Sequence, residues 1–182
     1  MEKNDMEYFR IEQERGISSY PQINSTLLPA CDEPNKRVFS RSSSKQSREN
    51  YIVLPFIEMP KGSEFIFIIS KELKKLFSAY QEGGQYLPFF TTDIEGKGLP
   101  YYVFYPLVLE CLSDETEFNI DESVNKLVLS VEKIGNNKIF QVGGIKRRPY
   151  LIVDLEILEL MLYNGEYPFV YTPVLLSTQK EV

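Results

Sequence analysis

The densest group of side chains able to do chemistry lies between Glu110 and Glu122. Glu110, Asp114, Glu115, Glu117, Asp121 and Glu122 put six carboxylates into thirteen residues, with Cys111 among them. Carboxylates at this density can hold a hard cation or work as an acid and base pair. A calcium loop needs the order D-x-[DN]-x-[DN]-G, and SDETEFNIDE (113–122) does not have it. The plain reading is a solvated acidic loop. The functional reading is a contact surface for a basic protein, made by Asp114, Glu115, Glu117, Asp121 and Glu122; opposite charges raise the rate and selectivity of such encounters.

Other chemistry is sparse. The chain has no histidine, which excludes Ser-His-Asp and Cys-His catalysis and histidine metal sites. Its two cysteines, Cys31 and Cys111, lie far apart in sequence and read as free thiols of a reducing compartment. Gly83-Gly84 and Gly143-Gly144 lack the flanking spacing of a phosphate loop or dinucleotide fingerprint. GGIKRRP (143–149) sets Lys146, Arg147 and Arg148 beside a glycine turn. An anion could dock there, but a solvated hairpin tip is the simpler expectation. No catalytic residue, cofactor or metal is expected.

These residues need a scaffold, and the composition permits one. In 182 residues, 43% are hydrophobic, 25% charged and 13% aromatic, a balance typical of a folding domain. One domain over 1–182 is expected. Twenty Lys and Arg against 26 Asp and Glu leave a formal charge of -6, which opposes nucleic-acid binding. MEKNDMEYFR carries acids where a signal peptide needs an apolar run. The most apolar segment, YYVFYPLVL (101–109), is too short to span a bilayer. No membrane partner and a cytoplasmic location are therefore expected.

Along the chain, EYFRI (7–11) reads as a strand. A serine-rich basic stretch at 31–50, with Lys36, Arg37, Arg41, Lys45 and Arg48, reads as a mobile loop. YIVLPFI (51–57) is extended with a bend or edge at Pro55, and EFIFIIS (64–70) is β-prone. Ser70 caps a helix whose Leu73, Leu76, Phe77 and Tyr80 share one stripe. QYLPFFTTDI (85–94) and PYYVFYPLVLECL (100–112) pair as strands across the EGKG turn. KLVLSVEKI (126–134) is a strand, straight or bent, and KIFQV (138–142) and YLIV (150–153) are two more. Asp154 caps a second helix, LEILELMLY, and EYPFVYTPVLL (166–176) is extended.

Two segments share this grammar. FIIS-KELKKLFSAYQEGG-QYLPFF (67–90) and LIVD-LEILELMLYNG-EYPFVY (151–171) each run strand, cap, helix, glycine stop, aromatic-proline strand. The alignment matches Ser70 with Asp154, Glu72 with Glu156, Leu76 with Leu160, and Tyr86-Pro88 with Tyr167-Pro168. Two such units would pack on a shared sheet. The fold class is α+β: a mixed, mostly antiparallel, twisted sheet carrying a few helices, with a possible strand–helix–strand duplication.

In the order of these elements the chain resembles immunity-protein family eleven of bacterial polymorphic toxin systems, a former domain of unknown function. The resemblance rests on IISKELKKLF, YLPFF, YYVFYPLVLECL, SDETEF, LVLSVEKIGNNKIFQV, LIVDLEILELML and YPFVYTPV, with YFRI at the start. It covers about two-thirds of the chain, and the 31–50 insertion and the GGIKRRP loop depart from it. It implies a cytoplasmic antitoxin that binds a cognate toxin domain and occludes its active site, with no enzyme activity and no cofactor. Two other readings stand beside it. One is a small enzyme using the Glu110–Glu122 carboxylates or the Cys111 thiol. The other is a scaffold that associates with itself through its strand edges.

Overall fold

The run EFIFIIS carries no polar alternation because both of its faces are covered. Phe67 and Ile69 enter one buried cluster, while Ile66 and Ile68 enter another. The computed structural model of the chain describes residues 6–15, 38–39, 54–61, 64–92, 98–165 and 168–177. In chain order the elements are β1 (Tyr8–Gln13), β2 (Val38–Phe39), β3 (Phe56–Lys61), β4 (Glu64–Ser70), α1 (Lys71–Tyr80), β5 (Gln85–Thr92), β6 (Gly98–Tyr105), β7 (Val108–Leu109), β8 (Glu117–Phe118), β9 (Val124–Lys126), β10 (Val128–Ser130), α2 (Val131–Ile134), β11 (Ile139–Val142), β12 (Leu151–Asp154), α3 (Leu155–Tyr163), β13 (Phe169–Pro173) and β14 (Leu175–Ser177). The class is α+β with mixed, mostly antiparallel sheets. Among the described residues no helix is long and apolar enough to cross a membrane.

Two five-stranded sheets dominate, ordered β13-β1-β12-β11-β7 and β2-β5-β6-β4-β3. They share a central core. Phe9 and Ile11 of β1, Phe56, Phe67, Ile69 and Phe104 from the other sheet, Leu73 and Phe77 of α1, and Ile157, Leu158 and Met161 of α3 are all buried in it. Each sheet buries its opposite face in a cluster of its own. Both helices begin as their sequences require: the Ser70 hydroxyl accepts from the Leu73 N–H at 3.0 Å, and the Asp154 carboxylate from the Ile157 N–H at 2.9 Å.

The ladders turn the sequence repeat into a structural one, in a form the linear alignment does not contain. Ser70 lies opposite Tyr101 and Asp154 opposite Tyr8, so β6 and β1 occupy equivalent places. From that register Phe56 corresponds to Ile139, because each faces the residue before the cap. Tyr86 and Pro88 correspond to Tyr171 and Pro173, not to Tyr167 and Pro168. The backbone bonds agree: Ser70 N–H reaches the Pro55 carbonyl and Asp154 N–H the Lys138 carbonyl. The buried Tyr101 hydroxyl donates to the Leu54 carbonyl at 3.0 Å, and the Tyr8 hydroxyl donates to the equivalent Asn137 carbonyl at 3.2 Å. Each half is thus two strands, a helix and two strands. The second half takes its last strand, β1, from the beginning of the chain. The expectation of one shared sheet is corrected: the halves build separate sheets and meet through their helices and the central core.

Three local expectations also change. Pro106 lacks an N–H and ends β6, so the 100–112 run splits, and β7 joins the other sheet beside β11. KLVLSVEKI is not all strand; after β10 it coils into α2, ended by Gly135 at φ +60°. The 113–122 loop contains β8, which pairs with β9. The 31–50 stretch lies outside the described residues except for β2, which runs parallel to β5 at Phe89–Phe90.

The duplication generates a stability prediction. Tyr8→Phe and Tyr101→Phe each leave an equivalent carbonyl without its hydroxyl donor. Each should lower unfolding free energy by about 1 kcal/mol in urea titrations, with Tyr101→Phe at least as costly because its bond is the more buried. No change for either would contradict the equivalence.

Candidate functional site

The acidic residues singled out by sequence sit on a short hairpin whose base is fixed. Backbone bonds tie its stem to β10: Ser113 N–H donates to the Val128 carbonyl and Ser130 N–H to the Cys111 carbonyl. The Thr116 hydroxyl adds a 2.7 Å bond to the Val128 carbonyl. Beneath lies the cluster containing Cys111, Leu129, Ile134 and Phe140. Burial pushes the Cys111 thiol up to about 11 and leaves it protonated.

The turn of the hairpin is closed by its own polar side chains. Glu122 N–H donates to the Asn119 carbonyl, and Asn119 N–H to the Ser123 carbonyl. Asp121 accepts from the Ser123 hydroxyl at 2.5 Å and from the Ser123 N–H at 3.1 Å. These bonds, with Arg147 nearby, hold the Asp121 carboxyl below its ordinary range. Their contribution is therefore present above the normal carboxylate pKa and is lost as pH falls through the depressed one. Glu122 has φ +63°, in the left-handed region that favours glycine. Ile120, in the same turn, is fully exposed, and Phe118 before it is exposed as well.

The basic loop meets this hairpin from the side. Lys146 pairs with Glu122 at 2.5 Å and Arg147 with Asp121 at 2.8 Å. A hollow of about 280 Å³ remains between Phe118, Asn119, Glu122, Gly144 and Lys146. The 143–149 loop joins antiparallel β11 and β12, and Lys146 and Arg147 stand exposed on it as a solvated tip would have them, although all three cations have carboxylate partners. Gly143 lets the loop start close against Glu110, whose carboxylate a Cβ would strike.

Arg148 points the other way, into the junction of the two main sheets. It binds Glu12 at 2.8 Å and also the buried carboxylate of Glu58. Arg10 donates to the same Glu12 oxygen at 2.8 Å and stacks its guanidinium 3.5 Å above the Tyr150 ring. Gln13 and Glu58 exchange backbone-to-side-chain bonds of 3.0 and 3.1 Å. Arg10, Glu12, Gln13 and Glu58 escaped the sequence reading because their pairing spans separations of up to 136 residues.

The structure therefore brings Asp121 and Glu122 together with Lys146 and Arg147, and places Glu117 across the hairpin, where it accepts from Asn125 at 3.2 Å. Asp114 and Glu115 stand exposed at the hairpin's base. Among the described residues no three His, Cys, Asp or Glu side chains gather where they could hold a metal ion. Sequence missed the hairpin itself, although Asn119 and Asp121 between Phe118 and Val124 are turn residues between apolar ones. Comparison with known proteins finds no family model that matches the chain and no matching curated protein.

The left-handed Glu122 carries a test. Glu122→Gly relieves roughly 1 kcal/mol of backbone strain and gives up an exposed ion pair worth a few tenths. Thermal or urea unfolding should show a net change between zero and about 1 kcal/mol of stabilisation. A loss of more than about 1 kcal/mol would refute the strained turn.

Proposed function

We propose that the chain is an immunity-type antitoxin that binds a cognate toxin domain in the cytoplasm and blocks it by covering its active site. One observation carries the reading: Ile120 stands fully exposed at the tip of a hairpin held from below by β10 and from the side by Lys146 and Arg147. An isoleucine wholly in water is an anchor awaiting a pocket, and burying it yields about 1.5–3 kcal/mol. The fixed stem limits the ordering cost of binding. Glu117, Asp121 and Glu122 share the hairpin with the anchor, Asp114 and Glu115 stand at its base, and together they steer a basic partner toward it. In this reading Ile120 and Phe118 supply the affinity, and the five carboxylates supply encounter rate and choice of partner. The resemblance of the sequence to immunity-protein family eleven motivates the same class of partner.

The test is co-expression with the C-terminal domain of a polymorphic-toxin protein, where the adjacent gene encodes one. The native chain should restore growth and copurify with the toxin. Ile120→Glu should keep its melting transition, weaken the complex at least tenfold, about 1.4 kcal/mol, and lose protection. Absence of both protection and complex with the native chain, or full protection by Ile120→Glu, would overturn the proposal.

A further inference from the structure

The duplication supplies an internal control for the outer face of the second sheet. Val103 and Arg10 are equivalent, because each lies opposite the residue two before its cap, Ile68 and Ile152. The neighbouring strands make Leu87 equivalent to Thr172. Counting back from the caps makes Ile66 equivalent to Tyr150. In the first half these positions are apolar and share one buried cluster, none more than 5% exposed. The second half puts a cation, a phenol and a hydroxyl at the same places, with Arg10 and Tyr150 half-buried and Thr172 exposed. The fold therefore does not call for polar groups here, as its own first half shows. Arginine in place of valine on β1, with a strand on either side, gives up burial that the scaffold elsewhere keeps.

These polar residues line a hollow of about 300 Å³. Asn125 and Lys126 of β9 contribute to it from the hairpin stem, and Leu127, Val174 and Leu175 add apolar lining. Among the described residues no carboxylate lines it. In the sheet junction beside it, Arg10 and Arg148 balance Glu12 and Glu58. Lys126 has no carboxylate partner among the described residues, and Glu117, opposite it in the hairpin, accepts from Asn125 instead. The hollow thus carries one uncompensated positive charge in a protein whose formal net charge is -6. Arg10 gives one donor to Glu12 and lies 3.5 Å above the Tyr150 ring. A guanidinium has five N–H donors, so the stack fixes its plane and leaves donors for a ligand.

A monoanion with an apolar body matches this lining. Guanidinium and ammonium groups take a carboxylate by charge-assisted hydrogen bonds, and apolar walls take a hydrocarbon. A single uncompensated cation favours a carboxylate over a doubly charged phosphate. We infer that this hollow binds a small organic carboxylate, its charge on Arg10 and Lys126 and its hydrocarbon on Leu127, Val174 and Leu175. The site involves neither the hairpin tip nor the toxin, and its test needs neither.

The test is an NMR titration of the full chain with 3-phenylpropionate, with 3-phenylpropanamide and phenyl phosphate as the uncharged and doubly charged counterparts. Phenylpropionate should shift the amide signals of Lys126, Thr172, Val174 and Leu175 saturably, with a Kd below about 1 mM. The amide should bind at least tenfold more weakly, and phenyl phosphate no more tightly than the carboxylate. Arg10→Val and Thr172→Leu install the side chains of the first half. Arg10→Val should weaken binding at least tenfold, and Thr172→Leu should weaken it by narrowing the hollow. Lys126→Met changes an exposed side chain, keeps the urea transition and should weaken binding about threefold. It carries the test if Arg10→Val does not fold. No saturable shift at those residues up to roughly 10 mM, equal binding of the amide, tighter binding of phenyl phosphate, or native affinity in both cation variants would each overturn the assignment.

Discussion

Insertion of β1 between β12 and β13 is the constraint on which the rest of the molecule depends. Without it the second half has no strand equivalent to β6, and β12 and β13 have no common neighbour. The same six residues serve three surfaces. Phe9 and Ile11 enter the central core, Tyr8 the cluster on the far face, and Glu12 and Gln13 the seam with the other sheet. Period-two alternation in one short segment makes that division possible. Since β1 comes from the chain's beginning, the second half closes only after most of the chain has been traversed. That long-range closure costs loop entropy before any burial offsets it.

The 143–149 loop couples this frame to the hairpin. Three consecutive cations, Lys146, Arg147 and Arg148, are divided between two destinations: the first two hold the exposed hairpin, and the third sits in the sheet junction against Glu12 and Glu58. Their energies differ with burial. The hairpin pairs are solvated and screened by salt. The Glu58 carboxylate is buried, so removing Arg148 would strand a desolvated charge. The junction is thus the firm end of the loop and the hairpin the adjustable one.

Exposed large apolar side chains are spread over the described surface, Met6, Val108, Tyr171 and Leu175 among them, and Ile120 at the hairpin tip is the most exposed of them. Ile120 lies in a turn that holds Glu122 in the left-handed region.

How far each feature was legible follows from the range of the interactions that determine it. The helices of 71–80 and 155–163 were readable because their caps, apolar stripes and stop residues act within a few positions, and β4, β5, β6, β11 and β12 because their composition is β-prone over a continuous run. The repeat was visible through its two caps, but its alignment was misplaced at Tyr167-Pro168. Linear comparison cannot register a strand that arrives from the other end of the chain; only the ladders of β1 could equate Tyr86-Pro88 with Tyr171-Pro173. The acidic residues were identifiable as a group, yet their division between the turn, the hairpin stem and the partners Lys146 and Arg147 required the fold. Local sequence by itself determined the two longer helices with their caps, the longer strands and the α+β class, since these depend on short-range sterics, hydrogen bonding and hydrophobic period. Tertiary structure alone decided which strands share a sheet, which charges meet and which apolar side chains are left in water, because those outcomes depend on contacts between residues that sequence keeps far apart.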